Sequence, residues 1–171
     1  LIGALVDGKP NFETIAYCGI VEHDPARIAV SSGRKHYTNA GIREQGAFSV
    51  NLPSTDMLAV TDFCGLRSGR QVDKSGLFRV FYGVLETAPM IEECPLCMEC
   101  RLYETLDYEL HDVFIGEIAE VYIDEQALTD GRPDIRKIDP IIYSHFQNAY
   151  FRVGDFLGPA FTLGKDYRPA E

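Results

Sequence analysis

Three cysteines in "EECPLCMECR", Cys94, Cys97 and Cys100, stand at the Cys-x-x-Cys-x-x-Cys spacing that iron–sulfur and zinc proteins use. A second stretch, "VSSGRKHYT", gathers two hydroxyls (Ser31, Ser32), a turn glycine (Gly33), two cations (Arg34, Lys35) and Thr38 at a helix start. Hydroxyl donors, cations and unpaired helix N–H groups together suit a phosphate monoester. A solvated basic turn with a helix cap accounts for the same residues. The first stretch implies a metal–thiolate electron carrier, the second an anchored phosphorylated ligand.

Strand geometry argues against the metal. Leu96, Met98, Cys100 and Leu102 alternate with polar Glu99 and Arg101, a period of two. Cys97 and Cys100 differ in parity, so they point to opposite faces about 10 Å apart along the strand. Three thiolates do not converge on one ion from there, and the trailing Cys-Pro of a cluster loop is missing. Pro95 marks the strand entrance. The cysteines are expected to be small buried or half-buried side chains. Cys18 in "AYCG" and Cys64 in "DFCG" each stand beside glycine, where a thiol can touch a ligand, though packing explains them as readily. No two of His23, His36, His111 and His145 have a metal-binding helical spacing. The chain has no Gly-x-Ser-x-Gly, Gly-x-x-x-x-Gly-Lys or Gly-x-Gly-x-x-Gly motif.

The elements that position these residues are mostly strands. "LIGALV", "FETIAYCGIV", "ARIAVSS" and "AFSVNLP" are expected strands, with turn signals at "DGKPN" and "HDP". The "FETIAYCGIV" strand is apolar on both faces, which implies two-sided burial. "YTNAGIREQG" predicts a helix capped by Thr38 and stopped by Gly46, and "STDMLAVTDFCGLRSG" a helix capped by Ser54 with Leu58, Val60, Phe63 and Leu66 at helical intervals. "LCMECRLYETL" and "VFIGEIAEVYID" predict two long strands around "DYELHD". We expect a mainly β protein, a β-barrel with short helical additions, as one domain over 1–171.

Composition narrows the partners. Lys and Arg total 16 against 26 Asp and Glu, a net charge of -10. Nucleic acid and anionic membranes are therefore not expected partners. No apolar run approaches the ~18 residues of a membrane helix. Five cysteines, an odd number, point to a reducing cytoplasm rather than a disulfide framework. The chain opens inside a strand without Met, so upstream residues are expected.

The ordered series "DGKPNFETIAYCGIVEHDP", "VSSGRKHYT", "FSVNLP", "DFCGLRSGRQVDK", "IEECPLCMEC", "HDVFIGEIAEVYIDE" and "YFRVGDFLG" resembles the flavoredoxin branch of the flavin-reductase-like proteins. These are FMN-binding split β-barrels of Greek-key type. The likeness runs over nearly the whole chain, and "SGRQVDK" and "HDVFIGE" weigh most. The resemblance implies a homodimer with FMN near the subunit interface and electron transfer through that flavin, with NAD(P)H as donor. By motif, Asn11 and Tyr17 would lie against the isoalloxazine ring, although six residues on a straight strand span about 20 Å, so a bend is required. Ser31, Ser32, Lys35 and Thr38 would take the ribityl phosphate, and Lys74 would approach the polar edge of the ring. Thr14, Cys18, Arg34 and Asn51 complete the cofactor-binding set that the resemblance implies. The family often has Trp near Tyr17 and Cys18, and Arg where this chain has Gly33, so Arg34 or Lys35 must replace that cation. Cys94 and Cys100 fit the family pattern without metal, and Cys97 looks like an extra.

The expected function is an FMN-dependent oxidoreductase that passes electrons from NAD(P)H to a flavin or small acceptor. The competing expectations are a non-enzymatic FMN carrier reduced by a redox partner protein, and the metal–thiolate module.

Overall fold

The computed structural model describes residues 1–169; positions 170 and 171 of the expected 1–171 domain lie outside them. Strands β1 (Ile2–Val6) and β2 (Lys9–Glu13) form a hairpin around Asp7 and Gly8, both at positive φ (51° and 74°). Asp-Gly favours this two-residue turn, whose twist matches that of the strands. β3 (Tyr17–His23) pairs with β4 (Ala26–Gly33). Helix α1 (Thr38–Gln45) ends at Gly46, whose left-handed φ of 62° directs its N–H to the Ile42 carbonyl at 3.0 Å. Gly46 is thus the expected stop. Thr38 is the first helical residue, and Tyr37 holds the cap position.

β5 (Ala47–Leu52) is followed by a 3-10 turn (Thr55–Met57) and α2 (Leu58–Leu66). Short β6 (Val80–Phe81) and β7 (Met90–Ile91) pair with each other. β8 (Leu96–Asp107) and β9 (His111–Ile123) form the long hairpin that the period of two predicts. A second 3-10 turn (Glu125–Ala127), β10 (Leu128–Thr129), β11 (Arg132–Pro133), α3 (Ile135–Ile138), β12 (Ile141–Ser144) and β13 (Ala149–Arg152) complete the described elements.

One seven-stranded antiparallel sheet runs in the order β2-β1-β5-β8-β9-β4-β3. β2 and β3 stand at its opposite ends, yet only Thr14–Ala16 lie between them. In a flat sheet six strand spacings would separate those ends by about 29 Å. The chain from Glu13 to Tyr17 spans at most about 14 Å. The sheet must therefore roll until its edges meet, leaving a seam between β2 and β3. The expected "FETIAYCGIV" strand is cut at this seam, which supplies the bend required between Asn11 and Tyr17.

The rolled sheet encloses a core that includes Ile2, Val30, Ile42, Phe48, Cys100 and Phe114. Burying each of its aromatic rings contributes about 1.5–3 kcal/mol. A second core, with Phe12, Cys64, Met90, Ile91, Cys94 and Cys97, fills the outer side of the wall. Cys97 and Cys100 therefore lie on opposite faces of β8, as parity requires.

Two expectations need correction, those for β3 and α2, and one polar side chain lies deeper than its type suggests. Two-sided burial holds at Asn11, Phe12 and Glu13, but every residue of β3 is exposed because β3 is an edge of the sheet. On the odd side of β8 Arg101 is exposed but Glu99 is fully buried, and its carboxylate accepts from the N–H groups of Val84 (2.8 Å) and Leu85 (2.7 Å) and the Tyr122 hydroxyl (2.7 Å). Three donors replace the water lost by that charge. On α2 the inward residues are Thr61 and Cys64, whereas Leu58 and Leu66 are exposed. No helix of the described residues is long and apolar enough to cross a membrane.

Candidate functional site

β2, the start of α1 and the segment after α2 converge on one groove. Two hollows of ≈ 360 and ≈ 250 Å³ share Asn11, Tyr37, Gly69, Gln71 and Lys74, so they are continuous. Arg70 lines the first; Thr14, Lys35, His36, Thr38 and Arg67 line the second. Past Thr14, Gly65 and Leu66 the depression continues beneath Tyr143 and Tyr150.

Asn11 is buried on β2, and its Nδ2 donates to Thr38 Oγ1 at 2.7 Å. The Thr38 O–H has no acceptor among the described residues, so it remains free to donate. Gly69 leaves room for this pair. A Cβ there would stand 2.1 Å from Asn11 Oδ1 and 2.6 Å from the Tyr37 ring. Tyr37 is held by its hydroxyl, which donates to Asp7 at 2.6 Å, a bond that pushes the phenol pKa up.

Lys74 is only 3% exposed, and its Nζ donates to the carbonyls of Phe12 and Cys64, each at 2.8 Å. Burial pushes its pKa down, while the two carbonyls offset the cost of burying the ammonium. One of its three N–H donors is left over. The groove wall thus carries a fixed cation with a spare donor.

Glu13, two residues after Asn11, is buried and pairs with His36 Nδ1 at 3.1 Å. That hydrogen bond raises the His36 pKa above its ordinary value. Ser32 Oγ lies 2.8 Å from the Glu13 carboxylate and 2.6 Å from Asn39 Oδ1, so its hydroxyl is committed within the fold.

Five of the sequence-derived residues, Asn11, Thr14, Lys35, Thr38 and Lys74, therefore come together on the groove. Ser32 lies beneath them. Ser31 is on β4 between Tyr17 and Val113, with parity opposite to Ser32. Arg34 turns toward the β8–β9 hairpin, its Nε 3.3 Å from Asp112 Oδ1. Asn51 accepts the Ile91 N–H at 3.0 Å and donates to Ser49 Oγ at 2.8 Å, clamping β7 to β5. Tyr17 and Cys18 sit on exposed β3, with the Tyr17 ring 6.1 Å from that of His111 and 6.3 Å from that of His145. Cys18 lines an apolar hollow with Ile20, Ile28 and Met98, which meets the far end of the groove at Thr14, Ile15, Tyr143 and Tyr150.

Sequence reasoning missed Glu13, His36, Tyr37, Arg67 and Arg70. The two arginines stand just ahead of Lys74 in "LRSGRQVDK", and that clustering was a usable signal. Nothing in the sequence announces the Glu13–His36 pair. Lys35, Arg67, Arg70 and Lys74 around amide and hydroxyl donors suit an elongated, phosphorylated ligand with polar edges. This donor set fits a phosphorylated flavin.

The family model described as flavin reductase like domain matches residues 1–153, which include every groove residue. The crystal structure of flavoredoxin from Methanosarcina acetivorans is similar, with a TM-score of 0.94 at 48% identity, covering 96% of this chain and 88% of that one. Flavoredoxin of Desulfovibrio vulgaris (Miyazaki F) follows with a TM-score of 0.89 at 37% identity, covering 96% and 90%. An FMN-binding protein from Thermus thermophilus with bound 1-cyclohex-2-enone has a TM-score of 0.81 at 25% identity, covering 92% and 87%. The rolled sheet with its seam is the expected split barrel.

Proposed function

The chain belongs to the flavin reductase-like family, and from that premise we propose that it is an FMN-dependent oxidoreductase of the flavin reductase and flavoredoxin type. It passes electrons from NAD(P)H through FMN in the groove to a flavin or another small acceptor. The observation that carries this reading is Lys74, an ammonium held on two carbonyls with one donor to spare, on a groove that also presents Asn11, Thr38 and Lys35. The solved structures named flavoredoxin and FMN-binding protein support the choice of cofactor.

When bound, FMN supplies the redox chemistry. The residues position it and set its field. Lys74 stabilises negative charge on the ligand edge it meets, because a preorganised cation costs no reorientation as charge develops. Asn11, steadied by Thr38, presents its amide oxygen to a donor on the ligand. Lys35, Arg67 and Arg70 provide the cationic surroundings that a phosphoryl group requires. His36, kept protonated to higher pH by Glu13, adds to them. No side chain is assigned as an acid or base.

A homodimer belongs to the same proposal. Ile20 and Val21 on edge strand β3 are 55% and 54% exposed, and Phe156, Leu157 and Phe161 beyond β13 are also exposed. An uncovered edge strand with apolar side chains invites pairing.

The second reading is a non-enzymatic FMN carrier reduced by a partner protein, favoured by the missing Gly-x-Gly-x-x-Gly fingerprint. Anaerobic stopped-flow mixing of the FMN-loaded protein with NADH and with NADPH separates the two. Bleaching of the flavin within seconds by either supports the reductase. No bleaching by both overturns it in favour of the carrier.

A further inference from the structure

On the outer side of β8, Cys94 and Cys97 share an open hollow of ≈ 320 Å³ with Phe81, Glu92, Tyr122 and Asp124. The flavin groove uses neither thiol. The chain bends at Cys94 and Pro95 before β8 begins at Leu96. Cys97 Sγ lies 3.9 Å from the Cys94 carbonyl oxygen and 3.3 Å from that of Ile91, while the Cys94 thiol faces the Met57 sulfur at 3.9 Å.

We propose that Cys94 and Cys97 are a redox-active dithiol, which small neutral or cationic disulfides oxidise to an intramolecular Cys94–Cys97 disulfide. The proposal is independent of the flavin reading. Cys100 shows the contrast: it is fully enclosed in the barrel core, on the other face of β8. Cys94 and Cys97 are 7% and 1% exposed, and the hollow that both line gives a small reagent its approach.

The environment distinguishes the two sulfurs. Interaction between the two sulfurs pulls the Cys97 pKa down and pushes that of Cys94 up, with burial adding to the Cys94 rise. Cys97 therefore loses its proton first, and the thiolate is the attacking form. Glu92 and Asp124 line the hollow of a chain whose net charge is -10, a field that disfavours anionic reagents.

The chemistry balances as an exchange. The Cys97 thiolate attacks one sulfur of R–S–S–R, forming Cys97–S–S–R and expelling RS⁻, which takes up the released proton. Cys94 then gives its proton to solvent and attacks the Cys97 sulfur, breaking the mixed bond and expelling the second RS⁻, which is protonated in turn. One small disulfide is reduced to two thiols, and the protein dithiol is oxidised by two electrons.

The test uses the purified full chain, reduced, desalted and incubated with cystamine, a cationic disulfide. Remaining thiols are then blocked with a maleimide under denaturing conditions and located by mass spectrometry. The proposal expects tryptic fragment 80–101 to lose the mass of two hydrogens and carry one maleimide, on Cys100, with dithiothreitol restoring all three sites. Glutathione disulfide, which is anionic, should act several-fold more slowly. Cys97→Ser should abolish the paired loss. Labelling of all five cysteines after cystamine, or thiols lost only as cystamine adducts, would overturn the dithiol. Equal rates with the two disulfides would overturn the charge preference.

Discussion

Asn11 on β2 and Thr38 at the start of α1 meet at 2.7 Å across the groove floor, although 27 residues separate them in the chain. The amide donates and the hydroxyl accepts, so Asn11 Oδ1 and the Thr38 O–H both remain for a ligand. Asn11→Ala should weaken FMN about tenfold, the effect of one lost hydrogen bond and a loosened partner. Thr38→Ala should do the same, and the double variant should lose less than the sum, with a coupling of about 1 kcal/mol. Fluorescence titration of FMN measures all three. Additive losses would mean that the pair does not act as a unit.

Lys74→Ala removes the fixed cation of the groove. FMN affinity should fall at least about tenfold, and the midpoint potential of the bound flavin should become more negative because the reduced form loses its stabilising charge. The variant should also lose about 1–3 kcal/mol of stability, since the Phe12 and Cys64 carbonyls lose their donor. Spectroelectrochemistry and thermal melts check the two effects. An unchanged potential counts against Lys74 at the ring edge.

How much of this was legible depends on how local the determinant is. The β8–β9 hairpin and the stop at Gly46 follow from a period of two and a single glycine, both local. The cut at Thr14–Ala16 carries no Pro or Gly, and it exists only because the sheet rolls until β2 and β3 become neighbouring edges. Glu99 is polar in sequence but fully buried, and its partners Val84 and Leu85 come from a loop whose path no local pattern fixes. At the site, Asn11, Thr38 and Lys74 lie in quotable motifs. Ser32 shows the limit of motif reasoning. Its hydroxyl has the right type and neighbourhood, but Glu13 and Asn39 claim it, and their proximity is a tertiary fact.

His36 gives a pH dependence. Its pKa is raised in the folded chain by the hydrogen bond to Glu13. The stabilisation is fully present below the ordinary histidine value of about 6.5 and is lost as pH rises through the raised folded value. His36→Gln should therefore lower Tm at about pH 5.5, and the gap should close by about pH 8.5. The side chain is 47% exposed, which limits the effect to about 3 °C or less. A gap that widens with pH would reverse the assignment.

The β3 edge makes an assembly prediction. Light scattering after size exclusion should give twice the 19.1 kDa chain mass. Ile20→Lys, which puts a charge on the exposed apolar edge, should shift the distribution toward the single chain. A monomeric wild type would remove the edge strand from the proposal.

The groove is the central claim, and a crystal grown with saturating FMN tests it most directly. The account predicts the flavin along the Asn11–Lys74 wall, with Lys74 Nζ and Thr38 Oγ1 within hydrogen-bond distance of its atoms and the phosphoryl group among Lys35, Arg67 and Arg70. An empty groove in a crystal that holds FMN elsewhere would contradict it.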